Sequence, residues 1–388
     1  MNRGFDPPGA TGKAASVLII GSGVAGCSMA AMIDHDRFDV TLVDRATFPR
    51  KKICGGCIGP PGLRCLKQLG VIDPVRQSSL PTNRWAGYFG PRTVQVDLPE
   101  GIAVCRSRLD PILRSAARDR GSTIMEGCSA KLRSAGDDRH AAVVDLNGVR
   151  REFDLVVAAS GLAGLNLTGT LPWVRVPESP IGVSLHVAGR VEPGVIHMIV
   201  DRSGYVGLVQ LPGGVVDVAG ALWIADKSPV RTMTRMIDNS PIELTVAPER
   251  LTGGPWTTPP LRRQRLAAAG RVIAIGDAHR YVEPFTGEGM TWAMQSGIFA
   301  AETLGRVGAE ALPDCYRRSA DKVAKTHRRR CRMLTSAIRR PWVQTLAGQA
   351  LSAMPMLATP IVQHLAADGN QNGSSGADGG RRNDAALG

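Results

Sequence analysis

Three stretches of this 388-residue chain combine chemically useful residue types with the spacing that chemistry requires. In "GSGVAG", Gly21, Gly23 and Gly26 fit the GxGxxG pattern. Its first glycine makes a tight turn, its second lets backbone approach a pyrophosphate, and its third lets a helix lie close to a strand. Asp44 closes the run "FDVTLVD", where a carboxylate can accept hydrogen bonds from an adenosine ribose and repel a 2′-phosphate, and Arg45 follows it. In "KKICGGC", Cys54 and Cys57 form a CxxC around Gly55 and Gly56. In "RVIAIGDAHRYVEPFTGEGM", Asp277 follows a buried apolar run and Pro284 stiffens a loop. Gly287, Glu288 and Gly289 then lead into a helix whose first N–H groups suit an anion.

These residues need particular elements to position them. "ASVLII" reads as a buried strand, "CSMAAMI" as the helix after the glycines, and "FDVTLVD" as the next strand, so the first motif sits in a βαβ unit that binds a dinucleotide. The distant Asp277 segment says which one. A fold that grips FAD by its adenosine end needs a second grip for the ribityl chain and ring, whereas a site for NAD alone does not. Asp277 can hydrogen-bond ribityl hydroxyls or the pyrophosphate region, and the helix after Gly289 can face the negative charge of a reduced flavin. The expected cofactor is therefore FAD. No second GxGxxG is present, so electrons are expected from an external donor, NAD(P)H or a ferredoxin-like protein.

Taken together, these segments resemble the geranylgeranyl reductase branch of the para-hydroxybenzoate hydroxylase-like flavoproteins. That family's second flavin segment is close to GDAAGxxxPxxGEG, and this chain departs from it at His279 and Arg280. "CRSRLDPILRSAARDRG" is similar to the pattern RxxxDxxLxxxAxxxG, mapping onto Arg106, Asp110, Leu113, Ala117 and Gly121. By that resemblance Arg106 contacts the FAD. "FDLVVAASGLAG" stands in place of a third motif ending in Asp-Gly, with Ser160 replacing the acid and Gly161 retained. The resemblance places Cys54, Gly55 and Gly56 near the flavin ring, where glycines let backbone lie flat against it. Tyr205 matches the tyrosine of a Tyr-x-Trp-x-Phe-Pro segment, but Gly207 and Val209 replace the aromatics, Gln210 the proline, and Pro212 comes two residues late.

The resemblance implies an α/β fold: a Rossmann-like FAD-binding domain (16–170 and 263–305) with an inserted, mainly antiparallel β-sheet substrate domain (171–262). A basic helical C-terminal region (306–368) follows, between a flexible N-terminus (1–15) and a disordered tail (369–388). It also implies an FAD-dependent oxidoreductase acting on an apolar, prenyl- or polyketide-like substrate. Reduction of a carbon–carbon double bond is the leading reading, and hydroxylation by a monooxygenase is the alternative. Cys54 either orients the substrate or protonates a carbon after hydride arrives, or is a small packing residue, or exchanges disulfides with Cys57. Zinc lacks a fourth ligand even if Cys65 joins them, so no metal is expected. His186, His197 and His279 are either acids and bases or structural residues.

Composition narrows the rest. A hydrophobic content of 43% supports sizeable cores, and eight dispersed cysteines are too dilute for a disulfide framework. The first fifteen residues lack the apolar run of an export signal, giving a cytoplasmic expectation. Between Tyr316 and Trp342 ten Lys or Arg face the single acid Asp321, while Ala324, Cys331, Leu334 and Ile338 recur at helical spacing. This basic amphipathic helix is either a solvated face or a peripheral contact with anionic lipid. The uncharged stretch from Trp342 to Val362 is broken by Pro355 and Pro360, which argues against a membrane span. With 4% aromatics and no nucleic-acid motif, no nucleic-acid partner is expected.

Overall fold

The computed structural model describes residues 14–343 and 349, apart from 51, 163–166, 168, 224–227, 244, 246–250, 282–286 and 341. The expected contact of Pro284 and most of the stretch from Trp342 to Val362 lie outside the described residues.

Strands apolar on both faces require cover on both sides, and the first sheet has it. Its spatial order is β18 (Ala268–Ala269), β19 (Val272–Ala274), β10 (Leu155–Ala158), β1 (Ala15–Ile20), β2 (Phe38–Val43) and β6 (Thr123–Met125). All neighbours pair in parallel except the edge strand β18. Read in chain order, the parallel strands lie 3-2-1-4-5, the order of dinucleotide-binding sheets. Val17, Ile19, Val40 and Leu42 face the helices, while Leu18, Ile20, Val156 and Val272 face the meander β7 (Ala130–Ser134), β8 (Ala142–Leu146) and β9 (Val149–Phe153).

On the helical side, α1 (Val24–Met32) carries no charge and is buried from Val24 through Ala31. It needs no polar face because the sheet, α4 (Arg106–Asp119) and α6 (Gly289–Ile338) surround it. The α6 contact is backbone to backbone: a Cβ on Gly297 would lie 2.3 Å from the Ala25 carbonyl oxygen. In α4, Leu109, Leu113 and Ala117 recur every fourth residue and form the buried stripe. Two short helices, α2 (Pro60–Gln68) and α3 (Ile72–Gln77), lead toward the second sheet. The basic C-terminal segment is continuous with the helix that starts at Gly289, and α6 is interrupted at Gly308 (φ 78°).

The second sheet has eight strands in the order β16 (Leu251–Thr257), β12 (Ile181–Ala188), β15 (Val215–Leu222), β14 (Gly204–Leu211), β13 (Val195–Asp201), β4 (Leu80–Phe89), β5 (Arg92–Ala103) and β3 (Cys57–Ile58). It is mainly antiparallel, and its one parallel junction joins β4 to β13. The stretch 171–262 therefore supplies only part of it: β3, β4 and β5 come from within 16–170. One face, with Val183, Leu185, Val216 and Val218, packs on Met233 and Met236 of α5 (Pro229–Asp238). The other face turns toward the first sheet. A small sheet of β11 (Val174–Arg175), β17 (Arg263–Gln264) and β20 (Arg280–Tyr281) stitches the return of the chain.

The backbone contact at Gly297 makes a prediction. Gly297→Val must push α6 off α1 and should lower stability by about 2 kcal/mol, read as a lower urea midpoint. Gly305→Ala, in the same helix with nothing within 4 Å of its Cβ position, should leave that midpoint unchanged or raise it.

Candidate active site

The three glycines of the first motif meet three different surroundings. Gly21 adopts φ 114°, its N–H donates to the Val43 carbonyl at 2.7 Å, and a Cβ there would lie 2.6 Å from the Ala159 oxygen. A Cβ on Gly26 would lie 2.0 Å from the Gly21 oxygen, so the turn closes only without one. Gly23, the residue before α1, instead opens onto charge: its Cβ position is 3.6 Å from guanidinium nitrogens of both Arg50 and Arg106 and 3.9 Å from Lys52 Nζ.

Carboxylates hold those cations. Asp44 accepts the Ser22 N–H at 2.9 Å and the Ala46 N–H at 3.0 Å, and pairs with Arg50 at 3.1 Å. Arg106, first residue of α4, makes a bidentate pair with buried Asp110 at 2.6 and 2.8 Å. Burial pulls the Arg106 guanidinium down, but Asp110 more than compensates and keeps it charged. Asp277 lies in a 3-10 turn, Gly276–Ala278, after β19. Burial pushes its carboxyl up, opposed by Lys52 and Arg106. Burial pulls Lys52 down, as do Arg106 and Arg50, while Asp277 opposes. Gly161 (φ 71°) stands at the end of this cluster, with Lys52 Nζ 3.0 Å from its Cβ position.

One cavity of about 950 Å³ joins these groups to the second sheet. Gly21, Gly23, Asp44, Arg45, Gly55, Arg106, Gly161, Asp277, Gly287, Glu288 and Gly289 all line it, as does Cys54. Gly26 and Gly56 lie behind its wall. Gly287 has φ 76° and Glu288 is the residue before α6, so the first turn of that helix opens on the cavity. The far wall is apolar and roomy: Gly207, Val209, Ala219 and Ala221 form its floor, with Trp85, Phe89 and Trp256 around it. Tyr205 also lines it, whereas Gln210 is turned away, accepting the Val191 N–H at 3.0 Å and donating to the Val215 carbonyl at 2.9 Å.

Cys54 stands where the charged and apolar ends meet. Burial pushes its thiol up to about 11, with Arg106 pulling the other way and Asp217 adding to the rise. Burial raises Cys57 as well. Both thiols are free, and their raised values oppose the thiolate that disulfide exchange requires. No cluster of metal-binding side chains occurs among the described residues. The histidines divide. His197 bonds the Tyr88 hydroxyl at 2.8 Å and is buried, and burial, with Arg280 and Arg265, pulls His279 down to about 4. His186, in contrast to a lone histidine, faces Asp217 at 3.5 Å.

Sequence reasoning passed over Arg50, Lys52 and Asp217. The basic run "PRKKICGG", directly ahead of the cysteine and glycines, was a readable signal for the first two. Asp217 gave none, because its place depends on strand pairing.

A cavity with a cation-lined glycine cradle at one end and an apolar sheet at the other is what a flavin-dependent oxidoreductase requires. The cradle fits a dinucleotide in particular, since Gly23 directs open backbone at three cations. Comparison with known proteins makes the assignment specific: residues 14–166 match FAD_binding_3, an FAD binding domain. Over 342 residues the chain is 29% identical to menaquinone reductase of Mycobacterium tuberculosis (strain ATCC 25618 / H37Rv), covering 78% of this chain and 81% of that protein. Over 334 residues it is 27% identical to digeranylgeranylglycerophospholipid reductase 1 of Methanothermobacter thermautotrophicus, covering 77% and 78%. A solved flavin-dependent brominase shares the fold with a TM-score of 0.70 at 16% identity, covering 91% of this chain and 94% of that one. Residues 14–166 thus form an FAD-binding domain similar to FAD_binding_3. The chain is an FAD-dependent oxidoreductase.

Removing the Asp44 carboxylate tests the cradle. A charge-assisted hydrogen bond of about 1.5–3 kcal/mol is at stake, so Asp44→Ala should weaken FAD binding roughly tenfold to hundredfold, measured by flavin retained on ultrafiltration. Undiminished flavin content would remove the ribose assignment.

Proposed function

We propose that this oxidoreductase reduces a carbon–carbon double bond in an apolar, prenyl- or polyketide-like substrate, with Cys54 as the proton donor. One observation carries the reading: the half-buried Cys54 thiol lines the cavity at the junction of the glycine cradle and an apolar wall, where burial pushes it up to about 11 and keeps it protonated. Reducing a double bond requires a hydride on one carbon and a proton on its neighbour. Bound FAD, when reduced, supplies the hydride. The similarity to reductases named for menaquinone and for a digeranylgeranyl lipid supports a prenyl-type substrate.

The chain's own residues take the other tasks. Gly21, Gly23 and Gly26 shape the backbone that receives the pyrophosphate, with Lys52, Arg50 and Arg106 opposing its charge. Asp44, with Arg45 beside it, takes the ribose, and Asp277 takes the ribityl chain. Gly55 gives the ring a flat surface with Gly56 behind it, Gly161 borders it, and Gly287, Glu288 and Gly289 present the start of α6 to its polar edge. The eight-stranded sheet binds the substrate, whose chain lies over Gly207, Ala219 and Ala221 and excludes water. Cys54 delivers its Sγ proton to the substrate carbon. Electrons come from an external donor, NAD(P)H or a ferredoxin-like protein.

Peripheral attachment to anionic lipid belongs to the same reading. Ala337 and Val343, at the end of the C-terminal helical region, line the cavity, and Met333 and Trp342 beside them are 67% and 59% exposed next to Arg339 and Arg340. No helix among the described residues is long and apolar enough to cross a membrane, so an apolar substrate would be drawn from a surface.

Two measurements follow. Anaerobically reduced protein should reoxidise faster when an unsaturated prenyl compound is added, and Cys54→Ser should slow that step roughly 100-fold or more, while Cys57→Ser stays within a few-fold of the parent. Reoxidation that needs oxygen and yields a hydroxylated product would establish the monooxygenase alternative instead. The protein should also sediment with anionic vesicles at low salt and be released at high salt; absence from the vesicle pellet at both salts would end the lipid assignment.

A further inference from the structure

The cavity side of the eight-stranded sheet is apolar or small at Ile196, Met198, Gly207, Val209, Ala219 and Ala221. Two ionisable side chains share that side. His186 on β12 and Asp217 on β15 are paired directly across the strands, with Nε2 and Oδ1 3.5 Å apart. Asp217 is 3% exposed and His186 8%. The edge of the His186 ring meets Trp256 at 5.5 Å between centroids. Asp217 Oδ2 lies 2.9 Å from the Cβ position of Gly56, so the carboxyl sits directly beneath that glycine. Gly56 holds a left-handed φ of 68° two residues after Cys54. Burying a carboxyl in an otherwise apolar wall is costly, and leucine or valine would fill the space without that cost.

We propose that Asp217, held by His186, is a positioning residue for Cys54: it braces the Gly56 turn that presents the thiol and supplies the charge that keeps the thiol's proton in place. The proposal rests on the reading that Cys54 serves the substrate. Charged groups face Cys54 from two elements. Arg106, with Asp110 behind it, approaches from α4, and Asp217 approaches from β15. Arg106 favours the thiolate and Asp217 the thiol. His186 in turn favours the charged form of Asp217 against burial. Within its own loop Cys54 is coupled to Cys57, which Asp217 also holds as a thiol. Replacing Asp217 by a neutral isostere leaves only burial and the weaker influence of Asp110 to oppose Arg106, and the thiol should lose its proton more readily. His186→Gln acts in the same direction, because a less charged Asp217 opposes Arg106 less.

The test is the alkylation rate of individual cysteines in the flavin-loaded protein, treated with iodoacetamide between pH 7 and 9 and read by peptide mass spectrometry. Cys65 on α2 is the internal reference: burial raises its thiol, Arg64 opposes, and Asp217 plays no part. Asp217→Asn should speed alkylation of Cys54 about tenfold, the change in thiolate fraction for one pKa unit, and leave the Cys65 rate unchanged. His186→Gln should give a smaller increase, and Asp217→Glu should restore the slow rate. A Cys54 rate within twofold of the parent overturns the proposal. So does equal acceleration of Cys54 and Cys65, which reports a loosened fold. The functional reading fails separately, if Cys54→Ser reoxidises at the parent rate with the unsaturated compound, whatever the alkylation rates show.

Discussion

The structure depends on the balance of charge around Gly23. Three cations, Arg50, Lys52 and Arg106, and three carboxylates, Asp44, Asp110 and Asp277, converge on the mouth of the glycine turn, and several are buried. Buried charges survive only when paired and hydrogen-bonded. Two of the carboxylates meet that requirement directly, Asp44 through backbone N–H groups and Arg50 and Asp110 through the fork of Arg106, while burial pushes Asp277 up against the opposing charge of Lys52 and Arg106. The balance also prepares the cradle for an anion. Lys52 is pulled toward neutrality by burial and by its cationic neighbours, so a pyrophosphate near it restores the charge that burial removes.

That cluster can exist because the backbone elements carrying it approach so closely. The parallel sheet delivers Asp44 and Asp277 from the ends of strands, as in open α/β folds where ligands collect at strand carboxyl ends. Helix α4 contributes Arg106 and Asp110 from its first turn and a half. Helix α1 fits between sheet and α6 only because Gly26 and Gly297 have no Cβ. The anion-binding character of the α1 N-terminus and the tight three-layer core thus share one cause, small residues at points of backbone contact.

Much of this was legible in the sequence, and the reason is local. Gly21, Gly23, Gly26 and Asp44 occur within one βαβ unit, so their spacing along the chain is nearly their spacing in space. Arg106 and Asp110 sit one helical turn apart and could be read as a pair. Gly287 to Gly289 were readable because a strand, a loop and a helix start follow in immediate succession. The second sheet was legible only in part. A mainly antiparallel sheet was expected within 171–262, but β4 and β5 lie about a hundred residues earlier, and the parallel pairing of β4 with β13 leaves no trace in either segment. His186 and Asp217 illustrate the same limit: 31 positions apart in the chain, they become partners only through the register of β12 on β15.

The thiol at the junction of the two sheets shows what this division of labour accomplishes. A proton donor must hold its proton in the resting enzyme yet release it when the substrate carbon develops negative charge. Under the proposed reading, Cys54 meets the first demand through burial and the Asp217 charge, and the second through Arg106, which favours the thiolate. The two influences come from different parts of the molecule: Arg106 from the start of α4 beside the glycine turn, Asp217 from the sheet that forms the apolar wall. Neither part alone sets the thiol's behaviour.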